Sequence, residues 1–219
     1  MTRYTVHGQI AQYARMTPEP GQAVWASKGA IMSYTSDVRW NLRMPGGAGG
    51  VAKRLLSGEG VSLLYIETDR PGQSIMLGVK EPGHLMEWDL ADGPVMTTRG
   101  SFVAAWGDDI EIDVTVAKRA RAMLFGGAGL FLQRISGSGK VLLHGSGDFQ
   151  DTRLEPGQEL FTSTGNLAAF AADVDYNIQA VGSVGKFFFS GEGLFLTKLT
   201  GPGRVLLQSL KRTHGKGGS

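Results

Sequence analysis

Phe187-Phe188-Phe189-Ser190-Gly191-Glu192-Gly193-Leu194-Phe195-Leu196 decides the fold of this chain, because the sequence contains two relatives of it. Leu55-Leu56-Ser57-Gly58-Glu59-Gly60-Val61 is one, and Leu124-Phe125-Gly126-Gly127-Ala128-Gly129-Leu130-Phe131-Leu132 is the other. Each reads as an apolar strand, a tight glycine turn and a second apolar strand. Three copies of one supersecondary unit signal an internal repeat, in which neighbouring units bury faces that none can bury alone.

Other landmarks recur around these turns. Glu19-Pro20-Gly21, Glu81-Pro82-Gly83 and Glu155-Pro156-Gly157 are turn signals, since proline fixes φ and glycine supplies a positive one. Each precedes an Asp-led alternating segment, at Asp37, Asp109 and Asp173. The interval is 18 residues in the first and third copies and 28 in the second. The spacing therefore predicts a longer hairpin in the middle copy, around Asp89 to Gly93. Val38 to Met44 alternates strictly and reads as a half-buried strand.

These segments predict one all-β domain over 1–219, a β-sandwich or double-stranded β-helix-like fold with little or no helix. The repeats fall at about 19–80, 81–154 and 155–210, followed by a flexible basic tail at 211–219. Regularly spaced short strands between Gly/Pro turns, with almost no helical period, carry that expectation.

Composition narrows the function classes. The chain has 219 residues, 42% of them hydrophobic and 19% charged, and its 33 glycines suit many tight turns. A formal charge of +2 is too small to imply a nucleic-acid or anionic-membrane partner by itself. There is no cysteine, which excludes disulfides, thiolate metal sites and cysteine nucleophiles. The first residues, Met1 to Gly8, read neither as a signal peptide nor as a mitochondrial presequence. No apolar run reaches the length of a transmembrane helix. A cytoplasmic bacterial protein is the resulting expectation.

The segment Lys53-Arg54-Leu55-Leu56-Ser57-Gly58-Glu59-Gly60 and its counterpart Phe189-Ser190-Gly191-Glu192-Gly193-Leu194-Phe195 resemble the signature of a known family. It is the "altered inheritance of mitochondria" family, number twenty-four, and the resemblance runs from about Tyr4 to Leu210. It implies an all-β fold related to the tryptophan RNA-binding attenuation protein, built from repeated units and commonly oligomeric. It implies no catalytic residues. Fungal members are tied to the mitochondrial inner membrane. The middle copy departs from the pattern, with Ala128 where its neighbours have Glu59 and Glu192.

Candidate chemistry is sparse. Glu59 and Glu192 stand a repeat apart, too far for the roughly 5–10 Å that paired carboxylates need, so turn stabilisation by Gly58, Glu59, Gly60, Gly127, Gly129, Gly191, Glu192 and Gly193 is the expectation. His7, His84, His144 and His214 lack ligand spacing and read as satisfied or surface histidines. His144-Gly145-Ser146-Gly147-Asp148 lacks the nucleophile elbow of a hydrolase. Gly137-Ser138-Gly139-Lys140 fails the Walker spacing and reads as a hairpin turn. The basic clusters Lys118-Arg119-Arg121 and Lys211-Arg212-Lys216 read as a solvated hairpin end and a frayed tail. Trp25, Trp40, Trp88 and Trp106 read as core.

The sequence thus points to a non-enzymatic, oligomeric β scaffold or binding module, without cofactor, catalytic residue or bound metal. An RNA-binding ring protein is the alternative, and a small-molecule or metal-binding cupin-like enzyme stands third. A homo-oligomer, trimer first, is expected because sheet edges must be covered. Phe187-Phe188-Phe189 and Val205-Leu206-Leu207, apolar on successive residues, are the expected closing strands. A protein partner, nucleic acid or a peripheral membrane contact stays open.

Overall fold

The computed structural model describes residues 2–45, 62–98, 100–116, 131–180 and 195–212. The three glycine turns at Gly58–Gly60, Gly127–Gly129 and Gly191–Gly193, and the basic segment 118–121, lie outside the described residues.

The protein is all-β. Among the described residues seventeen strands follow in chain order: β1 (Arg3–His7), β2 (Tyr13–Thr17), β3 (Val24–Ala26), β4 (Ile31–Tyr34), β5 (Val38–Arg43), β6 (Leu63–Thr68), β7 (Ile75–Leu77), β8 (Gly83–Asp89), β9 (Val95–Thr98), β10 (Phe102–Val116), β11 (Phe131–Ser146), β12 (Phe149–Leu154), β13 (Glu159–Ser163), β14 (Leu167–Ala171), β15 (Asp175–Ala180), β16 (Phe195–Thr200) and β17 (Gly203–Gln208). The 3-10 turns Leu90–Asp92 and Thr164–Asn166 interrupt them among the described residues. All strand pairs are antiparallel.

The pairing defines a unit of six strand positions. In the first unit β2 pairs β7, β7 pairs β4, β3 pairs β6 and β6 pairs β5. The third unit repeats this with β12–β17, β17–β14, β13–β16 and β16–β15. The middle unit is the same with fusions. The first half of β10 stands for β4 and its second half for β5, while β11 covers β6 and β7; β9 and β8 pair β11 as β3 and β2 pair their partners. One detail confirms the alignment. The third strand of every unit skips one residue in its ladder at the same place, between Ile31 and Ser33, Phe102 and Ala104, and Leu167 and Ala169.

This correspondence corrects one landmark. Glu19-Pro20-Gly21 and Glu155-Pro156-Gly157 close turns after β2 and β12, with Gln22 N and Gln158 N donating back to Glu19 O and Glu155 O. Glu81-Pro82-Gly83 instead leads into β8, whose first residue is Gly83. Its glycine answers to packing, because a Cβ there would lie 1.9 Å from Gly145 O. The middle counterpart of the early turn is the 3-10 turn at Leu90–Asp92, capped by the Asp89 carboxylate accepting from Ala91 N. The 28-residue interval thus came from the wrong landmark, not from a long hairpin.

Asp37 and Asp173 stand just before β5 and β15, while Asp109 lies inside β10. All three occupy the corner where the chain passes from the third strand position to the fourth. The first and third units break the strand there. The middle unit bends it instead, at a bulge between Asp108 and Glu111 where Asp109 has φ 53°. Opposite, Gly137 and Gly139 lie within β11 rather than in a hairpin turn. A Cβ at Gly139 would meet Trp106 O at 2.1 Å, so only glycine lets the bent strands touch.

Neighbouring units join through two further ladders. The first half of β10 pairs β3, with Ala104 opposite Ala26, Ala105 opposite Trp25 and Trp106 opposite Val24. In the same way β14 pairs β9, with Ala169 opposite Thr97, Phe170 opposite Met96 and Ala171 opposite Val95. Three buried clusters back these joins. One unites the first unit with Val103, Trp106 and Leu142 of the middle unit. The second holds the middle unit's Trp88, Phe102 and Ile112 with Ala168, Ala169 and Leu206 of the third. The last packs Met96 and Leu132 against the third unit's Phe170, Leu199 and Val205.

Candidate assembly edge

Three units in a row make two joins of third strand to second strand, which use up β10, β3, β14 and β9. The remaining third strand, β4, and the remaining second strand, β13, are not hydrogen-bonded to each other. Among the described residues β4 pairs only β7, and β13 pairs only β16. Among the described residues each therefore has one side without a hydrogen-bonded strand neighbour, β4 in the first unit and β13 in the last.

Comparison of equivalent positions shows what is uncovered. At the two completed joins, Phe102, Val103, Ala104 and Ala105, and likewise Leu167 to Phe170, are at most 2% exposed. On β4 the corresponding Met32 is 56% exposed and Tyr34 49%. On β13 Phe161, at the position of Trp25 and Met96, is 51% exposed. These residues carry the apolar character of a buried join without the neighbour that buries it. Trp40 on β5 adds to the patch; it is 42% exposed, with its ring centroid 6.4 Å from that of Tyr34. A cleft of about 470 Å³ runs beside β13, lined by Phe161, Thr162 and Ser163 and by the segments 148–150 and 207–209.

Several expectations change here. Trp88 and Trp106 are buried and Trp25 partly so, but Trp40 is a surface residue. Of β5 only Val38 is buried, so its alternation does not mark a half-buried strand. The strand is a sheet edge with both faces open. Val205 and Leu206 are fully buried, but β17 lies between β12 and β14 and is closed within the chain. Phe187 to Phe189 lie outside the described residues. The edges left uncovered among the described residues are β4 and β13, neither of them a continuous apolar run. A usable signal was present: Ile31 to Tyr34 is a short strand without any charge.

A polar cluster gathers around Arg212, just beyond the end of β17. Arg212 is not frayed. Its side chain is 10% exposed and donates to Ser101 Oγ at 2.8 Å, Ser146 Oγ at 2.9 Å, His144 Nδ1 at 3.1 Å and Glu81 at 3.3 Å. The hydrogen bond from Ser146 and then the guanidinium hold the Glu81 carboxyl below the usual carboxylate range. Burial, helped by the Arg212 charge, pushes His144 down to about 4. His144 is thus a neutral acceptor, fixed in the tautomer with Nδ1 unprotonated. Ser146 bonds Glu81 and Arg212 rather than His144. The cluster ties the end of β17 to the middle unit and lacks the Ser–His contact that acyl transfer needs.

The remaining histidines are accounted for. His7 Nε2 lies 2.8 Å from Thr5 Oγ1 and its ring stacks on Tyr13. His84 Nδ1 is 2.9 Å from Gly147 O. His214 lies outside the described residues. Among the described residues no group of three His, Asp or Glu could hold a metal ion. No helix among them is long and apolar enough to cross a membrane.

The fold and its edges define a class: a tandem array of six-stranded antiparallel units. Comparison with known proteins gives the family. The Mitochondrial biogenesis AIM24 family matches residues 4–210, and this chain belongs to it. It is 24% identical over 199 residues to an uncharacterized protein of Streptococcus pyogenes serotype M6, covering 88% of this chain and 79% of that one. A crystal structure of a Streptococcus pyogenes protein superposes with a TM-score of 0.79 at 20% identity, over 96% of this chain and 94% of the other. That likeness establishes the shared fold.

Proposed function

We propose that this protein is a non-enzymatic, cytoplasmic β scaffold or binding module that works as a homo-oligomer, with a trimer as first choice. One observation carries the reading: the large apolar side chains Met32, Tyr34 and Phe161 are about half exposed on its unpaired edges, where the internal joins bury the counterparts of Met32 and Tyr34 and bury Met96 and partly cover Trp25 at the position of Phe161. Natural proteins rarely leave an apolar strand edge uncovered, because it templates indiscriminate pairing. The polar cluster around Arg212 favours the same reading, since Arg212, Glu81 and Ser146 bond one another and Ser146 does not contact His144. The RNA-binding ring loses one support, because Arg212 faces inward among Glu81, Ser101 and Ser146.

Sedimentation of the purified, untagged chain at micromolar concentration tests the reading. Species at multiples of 23.4 kDa are expected. A single 23.4 kDa species across the range overturns the oligomer. Salt-dependent retention of single-stranded RNA by the purified protein favours the ring alternative instead.

A further inference from the structure

Resting on that reading, we infer that β4 of one copy pairs antiparallel with β13 of the next, head to tail, rebuilding between chains the join made twice within the chain. The occupant of each open edge is a second copy of this chain.

Three observations give the register. Ser33 corresponds to Ala104 and Ala169, because each follows the skipped residue of the third strand. Thr162 corresponds to Ala26 and Thr97. Leu160 is five residues beyond Glu155, as Val24 is beyond Glu19. Leu160 pairs Leu199 as Val24 pairs Ile66. The internal joins set Ala104 opposite Ala26 and Ala169 opposite Thr97. Between chains this places Ser33 opposite Thr162, Tyr34 opposite Phe161 and Thr35 opposite Leu160.

A hydroxyl clasp supports this register independently. At the first join Ser27 Oγ donates to Phe102 O, and Ser27 N donates to Val103 O at 2.9 Å. At the second, Thr98 Oγ1 donates to Leu167 O at 2.9 Å and to Ala168 O at 3.0 Å. The third equivalent position also carries a hydroxyl, at Ser163, and the carbonyls that correspond to Phe102 O and Leu167 O belong to Ile31. The edge thus has the strand, the apolar residues and the clasp of a completed join.

Charge placement agrees. Among the described edge strands, β1 carries Arg3 and His7, β5 carries Arg39 and Arg43, β8 carries Glu87 and Asp89, β12 carries Asp151 and Arg153, and β15 carries Asp175. Such charges on an edge discourage pairing. β4 carries none, and β13 carries only Glu159 at its first residue, outside the pairing register. The two edges are different surfaces, so the contact is heterologous and closes into a ring or extends as an open array.

Two substitutions test the direction as well as the contact. Tyr34→Lys blocks the β4 edge and Phe161→Lys blocks the β13 edge, both at exposed positions. Each variant alone is expected to sediment at 23.4 kDa with an unchanged far-UV circular dichroism spectrum. An equimolar mixture is expected to form a two-chain complex, because one intact β4 and one intact β13 remain. Since the chain has no cysteine, Ser33→Cys and Thr162→Cys form a second pair. Oxidation should give a covalent two-chain species on mixing and none from either variant alone. Wild-type oligomers that survive both lysine substitutions overturn the join while leaving the scaffold reading intact. Self-crosslinking of one cysteine variant, or failure of both mixtures to associate, overturns the head-to-tail pairing. A wild-type chain that is monomeric throughout overturns the scaffold reading as well.

Discussion

Phe170 and Tyr34 occupy the same position in two units, one at a completed join and one at an open edge, so truncating each measures what the join contributes. Phe170 is fully buried opposite Met96, with its ring 5.5 Å from that of Tyr176. Phe170→Ala leaves a closed cavity and is expected to cost about 3–5 kcal/mol of unfolding free energy. Tyr34 is 49% exposed. About half of an aromatic side chain's roughly 200 Å² is therefore out of water, worth at most ~2.5 kcal/mol at ~25 cal/mol per Å². Extended-chain areas overstate burial, and an open site leaves no sealed cavity, so Tyr34→Ala should cost about 1–2 kcal/mol. Urea unfolding in the Phe161→Lys background, where association is blocked, gives both values from midpoints at a shared slope. In the wild-type background the Tyr34→Ala cost should grow with protein concentration, because assembly binds only the folded chain. Equal costs for the two truncations in the blocked background would refute the reasoning, since Tyr34 would then already be packed within its own chain.

Acid should destabilise this fold earlier than an ordinary carboxylate titration would. His144 has a folded pKa pushed down to about 4, so the unfolded chain binds the extra proton first. Its contribution is complete above about pH 6.5 and is lost as pH falls from there towards 4; urea midpoints across that window should fall for the wild type and flatten for His144→Leu. Glu81, also held below its usual range, adds a further loss beneath about pH 4.5, and Glu81→Gln should remove that part of the acid slope. Gly139→Ala forces a Cβ to 2.1 Å from Trp106 O in a left-handed backbone region; a loss of several kcal/mol or insoluble expression is expected, and a wild-type melting temperature would contradict the bent-strand geometry. Trp40→Gln should weaken association and cost the isolated chain about 1–2 kcal/mol, as Tyr34→Ala does, because its ring is 42% exposed.

Several turns were legible because turn chemistry is local. Pro20-Gly21, Pro71-Gly72 and Pro156-Gly157 must turn wherever they stand, and glycine has φ near 80° at Gly21, Gly72 and Gly157. Gly83 defeated the same logic. A glycine required by the approach of Gly145 O looks the same in sequence as one required by a turn. The burial of β5 failed for a related reason. Alternation shows that one face is apolar, not that a partner covers it, and Trp40 and Leu42 are apolar and exposed. Arg212 was hidden because a basic residue near a chain end reads as solvated. Its partners Glu81, Ser101 and Ser146 are 66 to 131 residues away, a separation no local pattern encodes. Edges depend on which strands are already paired, so β4 and β13 became recognisable only once the ladders were assigned.

The open edges follow from the repeat itself. An array that joins the third strand of one unit to the second strand of the unit before it makes one fewer join than it has units. The surplus is always one third strand at the start and one second strand at the end, and these fit each other by construction. A monomeric descendant of such an array is under pressure to disable both, by charge, by proline or by covering them. Here the neighbouring edges carry charge, and the two complementary ones keep Ile31, Met32, Tyr34, Leu160 and Phe161. Serine is also kept at 163, where Ser27 and Thr98 clasp the joins that are made. Burial within the chain cannot be what maintains these choices, because Met32, Tyr34 and Phe161 are about half exposed. On the pairing inferred above, their apolar character answers to a neighbour that presents the same surfaces in the opposite order, a second copy of this chain.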